Sequence, residues 1–147
     1  MIAIDHITLV VDDVNQAKAF FALFGFMDEK TVILSNKTFS DYLNVKNIHA
    51  EHHTLVLKNT VPRFEIQLLK YLDSHSSLSK HAAPKTPNPT TQGFHHLCFA
   101  VEDIEATLEK CLESGIKLKN NPMTFNDRKL VFLEGPANIT VELAQWI

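Results

Sequence analysis

Cysteine is scarce in this chain: Cys98 and Cys111 are the two among 147 residues. Two thiols cannot build a disulfide framework, and they fit a reducing compartment. They also lack the CxxC pairing of a structural zinc site. No apolar run approaches the ~20 residues that span a bilayer. The opening Met1-Ile2-Ala3-Ile4 has no basic segment or cleavage site, so a signal peptide is not expected and the reading is cytoplasmic. Basic residues are scattered, with 14 Lys and Arg against 17 Asp and Glu and a net charge of −3. That balance gives no electrostatic footing for a nucleic-acid or anionic-membrane partner. What remains is ordinary globular composition, 45% hydrophobic and 21% charged, with enough chain to bury a core.

The chain repeats itself. Asp5-His6-Ile7-Thr8-Leu9-Val10-Val11-Asp12-Asp13 returns as His95-His96-Leu97-Cys98-Phe99-Ala100-Val101-Glu102-Asp103. His6 and His96, Asp13 and Asp103, and Gly25 and Gly115 are each 90 positions apart (96 − 6). A repeat of this length marks two copies of one supersecondary unit.

Each copy opens as a strand, Ile4 to Val11 in the first and from Phe94 in the second. Asp12 or Asp13, and then Asp103, supply helix N-caps. Val14, Ala17, Phe20/Phe21 and Phe24 recur at helical spacing, as do Ile104, Leu108, Cys111 and Leu112. Gly25 and Gly115 suit the left-handed position after each helix. Further strands are expected at Phe26–Leu34, Thr54–Leu57, Arg63–Tyr71, Ile116–Leu118, Leu130–Leu133 and Ile139–Trp146. Residues 36–50 are irregular, with a helical turn near Phe39–Leu43. Residues 73–92 read as a polar linker, and Gly135-Pro136-Ala137-Asn138 reads as a turn. The closing strands match with Gln67 opposite Glu142, an offset of 75 (142 − 67). The first copy is therefore the longer, by the difference of the two offsets (90 − 75), which the 36–50 stretch accounts for.

Strand alternation puts His6, Thr8 and Val10 on one face and Ile7, Leu9 and Val11 on the other. The second copy divides the same way, with His96, Cys98 and Ala100 opposite Leu97, Phe99 and Val101. The wholly apolar face belongs under the helix. The histidines then face away from it, toward the hollow of a curved sheet. If the copies pack about a pseudo-twofold axis, His6, His96, Gln67 and Glu142 can meet at one point. Two imidazoles and two side-chain oxygens suit a borderline divalent ion such as Zn, Ni, Co, Mn or Fe.

The motifs Ile4-Asp5-His6-Ile7, Ile66-Gln67-Leu68-Leu69, Gly93-Phe94-His95-His96-Leu97 and Val141-Glu142-Leu143 resemble those of the vicinal oxygen chelate superfamily. That group holds glyoxalase I, methylmalonyl-CoA epimerase, bleomycin-resistance proteins and extradiol dioxygenases. The resemblance covers nearly the whole chain. It implies an α+β fold of two tandem βαβββ modules forming a cupped, mostly antiparallel eight-strand sheet with one helix packed on each. Residues 1–147 then form a single domain, with module one at 1–72, the linker at 73–92 and module two at 93–147.

The same resemblance implies one divalent metal ion held by His6, Gln67, His96 and Glu142, with Glu142 also the catalytic proton carrier. The ligand pattern is nearest the epimerase-like and glyoxalase-like members. The implied activity is that of a lyase or isomerase acting on a small molecule with vicinal oxygens through a metal-stabilised enolate or enediolate. A homodimer is implied as well. Two features depart from the epimerase pattern and weigh against a CoA ester: no clear second carboxylate stands at its strand-three position, where the local sequence is Glu51-His52-His53-Thr54-Leu55, and the turn before the last strand is short. The alternatives are a metal-free small-molecule binding or antibiotic-sequestration protein and an iron(II) extradiol dioxygenase using His6, His96 and Glu142. Glu65 is the alternative ligand to Gln67 if the register shifts by one pair. His95 is expected on the helix side in a structural role. Either His52 or His53 could line the hollow, though a solvated strand end is the favoured reading. Cys98 shares the His96 face, which could set it near the site, and reads as a buried inert thiol.

Overall fold

The apolar faces of both repeats are covered by their helices. The computed structural model describes residues 2–72 and 89–147. The chain divides into two compact units, Met1–Ala82 and Ala83–Ile147. The greater part of the expected linker, residues 73–88, lies outside the described residues.

The first unit runs β1 (His6–Val10), α1 (Val14–Ala22), β2 (Phe26–Leu34), α2 (Lys37–Leu43), β3 (Ala50–Leu57) and β4 (Glu65–Tyr71). Its sheet order is β1-β4-β3-β2, with β1 parallel to β4 and the other pairs antiparallel. The Asp13 carboxylate caps α1 by accepting from the Gln16 N–H at 2.9 Å. Val14, Ala17, Phe20 and Phe21 are the buried stripe of α1. Phe21 meets Phe26 edge-on at 5.9 Å between ring centroids. Ile66 and Leu68 are fully buried and pair with Ile7 and Leu9. Cross-strand partners share a face, so these residues form the helix-side core.

The opposite face of this sheet is partly covered by the longer first copy. Leu34, Ala50 and Leu69 lie on that face and form a buried cluster with Ile48. Phe39 and Leu43 of α2 pack onto it, along with Val45 and Tyr71. The expected helical turn is thus a real helix, capped by Asn36, whose side chain accepts from the Phe39 N–H at 3.0 Å.

The second unit runs β5 (Leu97–Ala100), α3 (Ile104–Glu113), β6 (Met123–Phe125), β7 (Arg128–Glu134) and β8 (Thr140–Trp146). Its order, β5-β8-β7-β6, reproduces the first sheet, again with the first and last strands parallel. Asp103 caps α3, and Ile104, Leu108 and Cys111 are its buried residues. Leu112 is 52% exposed, contrary to its expected inward position, because it falls off the stripe defined by the other three. The expected strand Ile116–Leu118 reduces to one bridge, Leu118 to Leu133. The second strand of the copy is instead Met123–Phe125, joined to β7 by Asn126-Asp127. Asn126 takes φ +49°, the left-handed backbone that a two-residue hairpin needs.

The two modules are therefore βαβββ units, with α2 inserted in the first. The eight strands fall into two four-stranded mixed sheets. No helix of the described residues is long and apolar enough to cross a membrane.

Candidate functional site

The register tests the expected equivalence of the two copies. Thr8 pairs with Gln67 in β1–β4, a separation of 59 (67 − 8). Cys98 pairs with Glu142 in β5–β8, a separation of 44 (142 − 98). The two separations differ by the same excess that lengthens the first copy. Gln67 and Glu142 thus occupy the same place in their sheets, each one pair beyond a candidate histidine.

In the second unit, His96 Nε2 lies 3.2 Å from Glu142 Oε2. The carboxylate is largely buried, with 13% of its side chain exposed, against 32% for the imidazole. Phe132, which pairs with Glu142 across β7–β8, sets its ring 5.2 Å from His96 and closes one side of the pair. The Cys98 thiol is pushed up to about 11, first by burial and then by its hydrogen bond to the Glu142 carboxylate. At neutral pH it is therefore a protonated donor that helps hold Glu142.

His95 departs from its expected helix-side position. It precedes the strand, so strand alternation does not govern it. Its Nδ1 lies 2.8 Å from His96 Nδ1, with the two rings edge to face. A hydrogen bond at Nδ1 leaves Nε2 as the working atom of His96.

The first unit repeats this device with different chemistry. His6 Nδ1 lies 2.5 Å from Asp5 Oδ1, and Asp5 is the residue equivalent to His95. Among the described residues, Nε2 of His6 has no partner. A carboxylate on Nδ1 is the usual support for an imidazole that ligates through Nε2.

Gln67 Oε1 accepts from His52 Nε2 at 3.1 Å and from Thr8 Oγ1 at 3.3 Å. Its Nε2 donates to Glu65 Oε2 at 3.2 Å. The direction of the amide follows from Glu65, a carboxylate that only accepts. Glu65 is itself held by Arg63, whose Nε donates to Oε1 at 2.8 Å. Arg63 also bonds Glu29. That bond holds the Glu29 carboxyl below its usual range, and the two glutamates push the guanidinium above its own. Glu65 thus bonds both Arg63 and the Gln67 amide.

The two adjacent histidines of β3 part by alternation. His52 lies on the open face with Gln67, one of the two placements the sequence left open. His53 is buried on the helix face. Its Nδ1 meets Thr31 Oγ1 at 2.9 Å and its Nε2 meets Glu51 Oε2 at 2.9 Å. Among the described residues, no three His, Cys, Asp or Glu side chains gather as a ready cluster for a metal ion. The candidate residues stand as two half-sets: His6 and Gln67 in one unit, His96 and Glu142 in the other.

A family model described as the Glyoxalase/Bleomycin resistance protein/Dioxygenase superfamily matches residues 5–132. The chain belongs to that superfamily. Solved structures agree on the fold. A glyoxalase family protein from Bacillus cereus superposes with a TM-score of 0.82 at 18% identity, covering 100% of this chain and 95% of that one. FosX from Listeria monocytogenes, a fosfomycin resistance protein solved with Mn(II) and sulfate, gives 0.60 at 16% identity, covering 100% and 95%. TnmS3, an antibiotic binding protein from Streptomyces sp. CB03234, gives 0.63 at 14% identity, covering 100% and 98%. No curated protein sequence matches the chain. The same fold is thus seen in a metal-bound resistance protein and in an antibiotic binder.

Proposed function

We propose that this protein is a divalent-metal-dependent lyase or isomerase acting on a small molecule with two adjacent oxygens. His6, Gln67, His96 and Glu142 are its proposed metal ligands. The observation that carries this reading is the matched support of the two imidazoles. In each unit the residue just before the histidine occupies Nδ1, Asp5 at 2.5 Å and His95 at 2.8 Å. Each histidine is thereby presented through Nε2, and an oxygen-bearing side chain stands at the equivalent register in each sheet.

The donor set fits such an ion. Two neutral imidazoles, one amide oxygen and one carboxylate suit Zn, Ni, Co, Mn or Fe. The amide of Gln67 is already turned with nitrogen to Glu65 and oxygen away from it. The Thr8 contact, at 3.3 Å, is the weaker of the two on Oε1 and is the one to give way. When bound, the ion supplies Lewis-acid stabilisation to negative charge on the substrate oxygens. Glu142 moves the proton, held in place by the Cys98 thiol. Phe132 shields the His96–Glu142 pair from water.

Metal stoichiometry by elemental analysis tests this. One ion per chain is expected, falling to near zero when His6 and His96 are both replaced by alanine. An unchanged stoichiometry in that double variant overturns the ligand assignment.

One observation favours a metal-free binder as the second reading. Among the described residues, every buried side-chain nitrogen and oxygen already has a protein partner. Purified protein without stoichiometric metal, combined with tight binding of an antibiotic-sized ligand, would select this reading.

A further inference from the structure

The open face of the second sheet continues beyond Glu142, in three rows of cross-strand neighbours. The first row holds Cys98, Glu142 and Phe132. The next holds Ala100, Ala144, Leu130 and Met123. The third holds Trp146, Arg128 and Phe125. The middle row is low because two of its members are alanines. It separates Glu142 from the third row by about 13 Å along the strand.

The third row carries a built feature. The Arg128 guanidinium lies over the Trp146 ring, 4.6 Å from its centroid. Stacking on an indole fixes the plane of a guanidinium and leaves its edge free to donate a fork of hydrogen bonds. Its one carboxylate neighbour among the described residues is Asp127, at 3.8 Å from Nε. That is too long for a hydrogen bond and leaves both Nη atoms uncommitted. The platform is held from behind, since Ile147 N–H donates to the Asp127 carbonyl at 2.9 Å and ties the residue after Trp146 to the β6–β7 hairpin. Trp146 and Phe125 remain 62% and 53% exposed.

We propose that the Arg128–Trp146 platform is the subsite for a carboxylate on the substrate. A planar monoanion matches the planar fork. A single guanidinium with Asp127 beside it and Glu142 farther along the same face does not compensate a phosphate dianion. The substrate is then a carboxylic acid whose adjacent oxygens lie some distance from its carboxylate, the intervening part resting on Ala100, Ala144 and Leu130. This deepens the proposed function and rests on it for the placing of the adjacent oxygens. The carboxylate subsite itself requires no metal.

Trp146 is the one tryptophan of the chain, so its fluorescence reads this subsite directly. Benzoate and benzamide are titrated into the full-length protein, both metal-loaded and treated with EDTA. The expected result is saturable quenching by benzoate and at least about tenfold weaker binding of benzamide, with or without metal. Arg128→Gln abolishes the preference for benzoate while keeping the wild-type metal stoichiometry and melting temperature. Arg128→Lys retains only part of the preference, because an ammonium has no fork. Equal binding of the two probes, or a preference that survives Arg128→Gln, overturns the proposal. So does quenching that follows protein concentration instead of probe, which marks the face as an interface between copies. Loss of metal stoichiometry with the benzoate preference intact refutes the metal reading and leaves this one standing.

Discussion

Gly135 opens the turn that launches β8 toward Glu142, and its replacement by alanine separates steric from conformational roles of glycine. Its backbone, φ −89° and ψ 174°, is extended and open to any residue. An added Cβ would stand 2.9 Å from Ile139 Cγ1, 3.0 Å from the Ile139 carbonyl oxygen and 3.0 Å from Val141 Cγ2. The Ile139 side chain is partly exposed and can move. The carbonyl cannot move freely, because it accepts from the Gly135 N–H at 2.9 Å. Val141 is fully buried and pairs with Leu97 and Leu133. Overpacking of this kind costs about 2 kcal/mol. For a chain of this size that lowers the melting temperature by roughly 4–8 °C. Gly115 is the control, with φ +78° and nothing within 4 Å of its would-be Cβ. Gly115→Ala loses about 1 kcal/mol to the left-handed backbone, and Gly115→Asn recovers part of it. Asparagine gives no such recovery at Gly135, where volume is the obstacle. Melts followed by Trp146 fluorescence measure both series. A Gly135→Ala protein melting within about 1 °C of wild type, or parallel alanine and asparagine responses at the two sites, would refute the reasoning.

His53→Ala leaves Glu51 and Thr31 without their imidazole partner and should cost about 2–3 kcal/mol in urea denaturation. Metal stoichiometry should not change, because His53 faces the helix. Arg63→Met releases Glu29, whose carboxyl then titrates higher by NMR. The pairing favours folding above the ordinary carboxylate range and fades as pH falls through the depressed value, so the variant's urea midpoint should depend less on pH below 5. In EDTA-treated protein at pH 8, Cys98 should be alkylated slowly, since a thiol near 11 is about one part in a thousand thiolate. Cys111 should react only on unfolding. Both thiols are raised in the fold, so their contribution is complete below the unfolded thiol value of about 8.5 and is lost as pH rises beyond it. A urea midpoint that does not fall between pH 8 and 11 would contradict this.

The order of elements was legible because the repeat and the alternation agree residue by residue. Ile7, Leu9 and Val11 could pack under only one surface, and Phe26–Leu34 is bounded by a glycine and a polar run. The β6 strand escaped because so short a segment carries no period. His95 escaped because alternation was extended two residues ahead of the start of the strand. The equivalence of Gln67 and Glu142 was readable from aligned apolar neighbours. The bond from His52 to Gln67 was not, since it comes from a neighbouring strand whose register no local pattern sets. Arg128 and Trp146 sit on different strands, and only the β7–β8 pairing brings them together.

The small apolar cluster under α2 lets one sheet face carry two loads independently. Leu34, Ile48, Ala50 and Leu69 are buried there on the side of the sheet away from α1, so the helix-side core does not depend on what covers them. Substitutions in residues 36–50 can therefore reshape the ground next to His52 and Gln67 while the helix-side core stays intact. This is a division of labour that lets selectivity drift through mutation without endangering the scaffold. It also gives laboratory evolution a defined place to begin, with α2 as a cassette for randomisation and the four candidate donors left untouched.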